Sequence, residues 1–430
     1  MTERTARIDL LAPPFSGHLH PLLGIGRALA PHYNVRMLSS ANALGSIRAA
    51  GLDGVALMEG VDSALTAITD TKQAVRNNPL YMHQQFRQAV KVAKTLAAEI
   101  SVLYSRDPPD LLIADFTAPT AGLAAHQLGV PWWTSVPSPC ILETPDGPPA
   151  YFGGLPMPTG PLNEIRDWAG RLLIRVFKRC VFWLHRSDLR SAGLTAPYRP
   201  DGLESSYSPD VTLALGIREL EFPRRWTANV HFVGPYLYTP PLRSPEPQFR
   251  AGARHVLVTL GTHLGWRKED FAAAVRAMTS AFPDVMFHYS DGDSSRFQCA
   301  TEGNFQRLSF VDYERWLSRY DLVLHHGGAG ILYYCIANGK PALVYPLDYD
   351  QFDHAARLLA AGLAHRLRSP RDLEAAVRRA LDDEGMRQRC VEFRKIYEAA
   401  IKRQELLTLV DAQIGLHRPK LPGRHKAVHG

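Results

Sequence analysis

The chain has 430 residues, too many for one ordinary domain of roughly 100–200 residues, so two large units are expected. With 46% apolar and 21% charged residues it is not a disordered chain, and 32 Gly with 32 Pro in no triplet period exclude collagen-like or low-complexity architecture. The 49 basic against 42 acidic side chains leave only +7, and Arg418, Lys420, Arg424 and Lys426 crowd the end, so this excess reads as a solubilising tail and not as a nucleic-acid surface.

Short apolar runs alternate with helix-length segments, the pattern of parallel α/β layering. The opening MTERTARIDLLAPP reads as a first strand and not a signal peptide, with Ile8 to Pro13 as its buried run. A helix is expected from about Pro21 to Ala30, a second strand at Asn34 to Leu38, and a long helical stretch over roughly 72–105. Strands follow at Asp110 to Ala114 and at 131–135. Between Pro137 and Pro161 eight prolines exclude continuous helix or central strand and predict a long loop of the kind that is usually functional.

Asn163 to Leu189 then reads as an amphipathic, basic helical stretch. Its 171–186 portion has two readings: a weak contact with anionic lipid, or a cationic outer face beside a packed apolar one, the second favoured. A proline-rich linker is legible at 234–248, after which alternation restarts at His255 to Leu260. It continues through Val285 to Tyr289, Asp321 to His325 and Ala342 to Tyr345. The expected organisation is an acceptor-side domain at 1–235, a linker at 236–252 and a second domain at 253–415. Its last helix, about 385–415, crosses back to the first domain, and 416–430 form a basic flexible tail. Both domains are expected to be doubly wound, with ligands where the carboxyl ends of the two sheets face each other. No run of about 18 uncharged apolar residues is present to span a membrane. Cys140, Cys180, Cys299, Cys335 and Cys390, with no CxxC pair, fit a reducing cytoplasm and argue against a disulfide framework or a zinc site.

The most specific stretch is DLVLHHGGAGILYYCIANGKPALVYPLDYDQ, from Asp321 to Gln351. A strand runs through His325-His326 into Gly327-Gly328-Ala329-Gly330 and then a helix. Glycines at such a turn let backbone N–H groups approach an anion at the positive end of the helix dipole. The spacing fits neither a P-loop nor a dinucleotide fingerprint. The plainer alternative is a glycine turn beside two structural histidines.

HHGGAG followed about twenty residues later by Asp350-Gln351 resembles the donor-site signature of family 1 glycosyltransferases of the two-domain GT-B fold, in particular bacterial enzymes that glycosylate natural products and lipids. The resemblance covers essentially the whole chain. It implies that His326 and the amides near Gly330 hold a nucleotide diphosphate, that Asp350 and Gln351 hold sugar hydroxyls, and that the Gly261-Thr262 loop touches phosphate. Phe310, with Val311, falls where a tryptophan commonly stacks on the donor base. Ile331 replaces the usual hydroxyl residue of the cradle, His354 replaces an asparagine, and Tyr334 replaces the glutamate that binds both ribose hydroxyls of UDP-sugars. Because a donor lacking the 2′-hydroxyl would not miss that carboxylate, the departure favours a dTDP-sugar over a UDP-sugar.

In the first half, Phe15-Ser16-Gly17-His18-Leu19-His20-Pro21 resembles the family's GHxxP element, which makes His18 the candidate general base and His20 the alternative or an acceptor contact. An imidazole suits proton abstraction near neutral pH. Asp115, just past DLLIA, would orient His18, while capping the helix near Thr117 is its plainer role. The proline-rich loop and its neighbours offer Trp133, Tyr151, Phe152, Leu155 and Met157 as an apolar acceptor wall; core packing is an even alternative for Trp132 and Trp133.

The sequence therefore leads to a metal-independent inverting glycosyltransferase with a nucleotide-sugar co-substrate, no other cofactor, and a hydrophobic small-molecule or lipid acceptor. It would be a monomer or homodimer that closes about the 235–250 linker. Asp291-Gly292-Asp293 and Asp348-Tyr349-Asp350 are weak cation candidates. A sugar-nucleotide epimerase of similar fold and a non-catalytic sugar-nucleotide-binding partner are the alternatives.

Overall fold

The computed structural model describes residues 5–69, 79–241, 244–262 and 265–417. Two seven-stranded sheets are formed. The first contains β1 (Arg7–Leu11), β2 (Asn34–Ser39), β3 (Asp53–Ala56), β4 (Leu111–Asp115), β5 (Trp132–Val136), β6 (Val211–Ala214) and β7 (Val230–Phe232). The second contains β8 (Arg254–Thr259), β9 (Val285–Ser290), β10 (Cys299–Glu302), β11 (Phe305–Leu308), β12 (Leu322–His325), β13 (Ala342–Val344) and β14 (Ala364–Arg366).

The spatial orders are 3-2-1-4-5-6-7 and 10-11-9-8-12-13-14. All pairs are parallel except β10 with β11. Strands such as LLIAD (β4) and WWTSV (β5) are buried throughout because helices cover both faces of the sheet. Successive side chains alternate between those faces. Ile8 and Leu10 pack with the helix Ser16–Leu29, whereas Leu11 and Leu112 pack with Leu96 and Ile100 of the helix Pro79–Arg106. Each fully buried Leu or Ile contributes about 1.5–3 kcal/mol.

The strand order reverses between β1 and β4 in the first sheet and between β8 and β12 in the second. At such switch points the adjoining loops part and leave a crevice at the strand ends. The last helix, Glu405–His417, places Leu406, Val410 and Ile414 in the core of the first sheet. It therefore follows the second sheet in sequence while packing on the first.

Three local expectations change. The first helix starts at Ser16, so His18 stands in its opening turn and Pro21 lies inside it. The ladder has already begun at Leu19, whose N–H donates to the Phe15 carbonyl at 2.7 Å, so Pro21 removes one backbone donor from the turn that follows His18. The long helix runs Pro79–Arg106; residues 72–78 of the expected stretch lie outside the described residues.

The third change is larger. In the helix Pro161–Leu184 only Asp167 and Gly170 are buried, and the apolar side chains face outward. The favoured expectation of a cationic outer face is overturned because the basic groups find acidic partners beneath the helix. Arg175 and Lys178 bind Glu143 at 3.0 and 2.7 Å, and Lys178 also binds Glu204 at 2.7 Å. Among the described residues no helix is long and apolar enough to cross a membrane.

Candidate functional site

One cavity of about 620 Å³ lies between the carboxyl ends of the two sheets. Its lining joins His18, His20 and Phe116 of the first lobe to Gly261, Thr262, Phe310, His326, Gly328, Ala329, Gly330, Ile331, Asp350 and Gln351 of the second. Both switch points thus open into the same space.

His18 follows β1 and Asp115 ends β4, its neighbour in the sheet. His18 Nδ1 sits 3.0 and 3.1 Å from the two oxygens of the buried Asp115 carboxylate, which leaves Nε2 as the ring nitrogen outside this pair. Burial alone would lower the His18 pKa. The charge and hydrogen bond of Asp115, with a smaller contribution from Asp350, outweigh it, so the pKa is raised. That Asp350 reaches His18 electrostatically shows the lobes acting on one point. Asp115 also accepts from the Thr117 N–H at 2.9 Å and from the Thr117 hydroxyl, so it orients the histidine and secures the start of the following turn together. His20 lines the cavity against Tyr238, and burial pushes its pKa down to about 4.

On the other side, β12 delivers His325 and His326 to the turn before the helix Ala329–Ala337, which starts from Gly328. His325 is wholly buried, its pKa pushed down to about 3 by burial and by its histidine neighbours, and its Nδ1 accepts the Gly327 N–H at 3.0 Å. The Gly327 carbonyl bonds to His354 Nδ1 at 2.7 Å. Gly327 is therefore a strut of the cradle and not part of its lining, which corrects its expected role as a direct donor contact. The free end is formed by Gly328, Ala329, Gly330 and Ile331, whose N–H groups open the helix. His326 fits only because its neighbours lack side chains: a Cβ on Gly261 or Gly328 would lie 2.5 Å from its ring, and Gly261 has φ +77°.

Gln351 Oε1 accepts from the N–H groups of Leu347 and Asp348 at 2.8 and 3.1 Å, leaving its NH2 for the cavity. Tyr349 holds a left-handed φ of +53° just before Asp350, a strained residue of the kind concentrated at binding sites. Phe310 lines the cavity and stacks on Tyr313, whereas Val311 is fully buried among Leu257, Leu308 and Leu317 and does not reach it. The Tyr334 hydroxyl is shared with Thr239 at 2.8 Å.

The expected acceptor wall is largely replaced. Trp133 is buried in the first-lobe core because β5 is covered on both faces. Phe152, Leu155 and Met157 lie outside the cavity lining, and of the proposed loop residues only Tyr151 contributes. The loop is drawn instead to the second lobe. Tyr151 N–H donates to Asp353 at 2.8 Å, and Arg366 reaches the Gly153 carbonyl at 3.4 Å. The apolar wall comes from Leu65, Ile68, Phe116 and the Ala89, Val92, Ala93, Leu96 face of the helix Pro79–Arg106. That i, i+3, i+4, i+7 pattern was present in the sequence, but amphipathic spacing does not tell a core face from a cleft face.

Of the cation candidates, Asp291 is held by Arg307 at 2.9 Å and Asp293 accepts from the Ser295 N–H at 3.0 Å. Among the described residues no group of three or more His, Cys, Asp or Glu side chains is gathered as a metal cage.

Two facing doubly wound lobes with a shared cleft at both switch points define the GT-B class of sugar-nucleotide proteins. Residues 276–403 match the glycosyltransferase family 28 C-terminal domain. The chain is 28% identical over 335 residues to zeaxanthin glucosyltransferase of Pseudescherichia vulneris, covering 74% of this chain and 77% of that one. It superposes on the crystal structure of the kitacinnamycin glycotransferase with TM-score 0.74 at 21% identity, over 96% and 100% of the two chains. It also superposes on the glycosyltransferase VinC in complex with dTDP with TM-score 0.63 at 19% identity, over 95% and 100%. The chain is a glycosyltransferase of the GT-B fold.

Proposed function

We propose that this glycosyltransferase moves a sugar, with inversion at the anomeric carbon, from a nucleotide sugar to a hydroxyl of a hydrophobic small-molecule or lipid acceptor. The acceptor lies against the apolar wall of the first lobe. Its hydroxyl oxygen forms the new bond to the anomeric carbon as the bond to the diphosphate oxygen breaks, and its proton passes to His18 Nε2. Asp115 fixes the ring and compensates the imidazolium. The departing diphosphate gathers negative charge at His326 and the Gly328–Ile331 amides, where preorganised donors and the helix dipole lower the barrier. This counter-charge lets the reaction proceed without a metal ion. Asp350 and the Gln351 amide hold sugar hydroxyls.

Tyr334 and the VinC–dTDP likeness support a dTDP-sugar as donor, since Tyr334 offers no carboxylate for two ribose hydroxyls. Five free thiols support a reducing, cytoplasmic setting.

The observation that carries this reading is the His18–Asp115 pair facing the His326 cradle across one cavity. The test is His18→Ala, assayed separately for transfer and for nucleotide binding. Transfer should be abolished and nucleotide affinity kept. Retained transfer refutes the base assignment. Conversion of the donor without any acceptor would identify an epimerase, and tight binding with no turnover of any acceptor by the wild type would identify a non-catalytic partner.

A further inference from the structure

We propose that the helix Pro161–Leu184 is a docking ridge for an anionic lipid surface. This surface is separate from the catalytic cleft, and its test needs no turnover. The helix is attached in reverse of the usual amphipathic arrangement. Its polar side faces the protein: Arg171 reaches the Gly147 carbonyl, Arg175 and Lys178 bind Glu143, and Lys178 binds Glu204. Its apolar side faces solvent through Leu162, Ile165, Trp168, Leu172, Val176 and Trp183, with exposures from 45% to 83%. The spacing of three, three, four, four and seven residues keeps all six on one face of the helix. A helix of 24 residues carries this stripe over about 36 Å at ~1.5 Å per residue.

These six side chains present roughly 700 Å² of apolar surface, more than the ~300–600 Å² of the largest patch on a typical monomer. A cover is therefore expected, and charge decides which. The end that carries Trp183 also carries the exposed cations Arg179, Arg186 and Arg190. His185 there packs on Phe86, and the exposed Arg87 of the helix Pro79–Arg106 lies close enough to act on His185. The nearby acid Asp188 is occupied by Lys94 at 2.6 Å. Arg186 stacks over Trp183, with its guanidinium 5.0 Å from the ring centroid. An indole at the edge of an apolar stripe with guanidinium groups around it matches the boundary of acyl chains and anionic headgroups.

A second copy fits less well. In an antiparallel pair the cationic end of one ridge would meet the Leu162 end of the other, where Glu164 is the one exposed acid on that helix. In a parallel pair like charges would meet.

The test uses the full chain, with its basic terminus intact, in co-sedimentation with phosphatidylcholine vesicles containing phosphatidylglycerol. The comparator is the double variant Trp168→Glu/Trp183→Glu, whose substitutions lie on exposed positions. Binding of the wild type should exceed that of the variant by roughly a hundredfold, about tenfold for each large apolar side chain lost from the contact. It should also fall sharply when phosphatidylglycerol is omitted. In the wild type alone, acyl chains brominated near the headgroup should quench tryptophan emission, an observation independent of how the variant folds. Vesicle binding that survives the double substitution, or no quenching by brominated lipid, overturns the proposal. A wild-type dimer in light scattering that the variant converts to monomer, with vesicles ignored by both, overturns it in favour of a second copy.

Discussion

The Asp115→Asn substitution tests the catalytic pair most sharply, because the structure dictates how the amide must sit. One Asp115 oxygen already accepts from the Thr117 N–H and hydroxyl, so in the variant the amide oxygen takes that place. The NH2 then occupies the other position, 3.1 Å from His18 Nδ1. The amide oxygen stays 3.0 Å from Nδ1 and can still accept from it, but the NH2 now competes for the same nitrogen, so the ring loses its single enforced tautomer with Nε2 free to receive the acceptor proton. Charge compensation is lost as well. A unit charge pair with centres about 4 Å apart is worth about 4 kcal/mol at an effective dielectric near 20, which is a factor of roughly 10³ at ~1.4 kcal/mol per decade. Transfer should therefore fall by about 10²–10⁴ in kcat/KM. Nucleotide affinity, measured by calorimetry, should stay within a factor of about two, since Asp115 lies in the other lobe from the cradle. A variant that keeps more than about a tenth of wild-type turnover would refute this assignment of the base and its orienting group.

Other outcomes can be checked in parallel. The wild-type rate should rise with pH through a limb centred above the ordinary histidine value of about 6.5, because His18 works only when neutral and Asp115 outweighs burial to hold its pKa up. A limb near 4 would assign the titration to His20 instead. Gly261→Ala places a Cβ 2.5 Å from the His326 ring at φ +77° and should weaken nucleotide binding about tenfold or more in calorimetry, with acceptor KM little changed. Ala93→Phe should raise acceptor KM without altering nucleotide affinity, because Ala93 lines the cavity from the first-lobe wall. Arg357→Met strips the buried Glu221 of a partner at 2.6 Å and leaves it Arg224 at 3.1 Å, so a loss of about 3 kcal/mol is expected, visible as a lower melting temperature.

The architecture was legible because strands buried on both faces become largely apolar runs, as in β4, β8, β9, β12 and β13; in β1 and β2 the run is interrupted by Asp9 and Arg36, which pair with each other at 2.7 Å. β7 (VHF) and β14 (AHR) are only partly buried and hold a polar residue among three, so they left no apolar run, whereas the equally short β13 (ALV) is wholly buried and did. The residues that meet in the cavity were legible where a turn needs particular residues, as in His18 after β1 and His326 with its glycines after β12. It was less legible where a side chain could face either of two ways. Trp133 and Val311 carry apolar groups suited to a cleft, but the covering helices and neighbouring core make them interior. The Pro161–Leu184 helix misled for a related reason. Amphipathicity gave two faces, but the side turned inward was decided by Glu143 and Glu204, residues distant in sequence that neutralise the basic side.

The proline-rich loop has consequences for how the lobes move. It was expected to shape the acceptor site, with closure about the linker; its position makes it a strap between lobes. Asp353, Arg357 and Arg366 reach Tyr151, Glu221 and Gly153 across the cleft, and the first two lie on the helix Gln351–Ala360. Gln351, at the start of that helix, lines the cavity. Opening about residues 236–252 would have to separate Arg357 from Glu221, side chains only 2% and 3% exposed. Such an opening must break this pair as well as bend the linker. The last helix, Glu405–His417, seated in the first-lobe core, adds a second connection. Tyr151 and Gly153 of the loop therefore join the lobes beside the linker. Gln351 and Asp353, whose carboxylate accepts from the Tyr151 N–H at 2.8 Å, stand two residues apart in the first turn of one helix, so the strap is anchored beside a residue of the cavity lining.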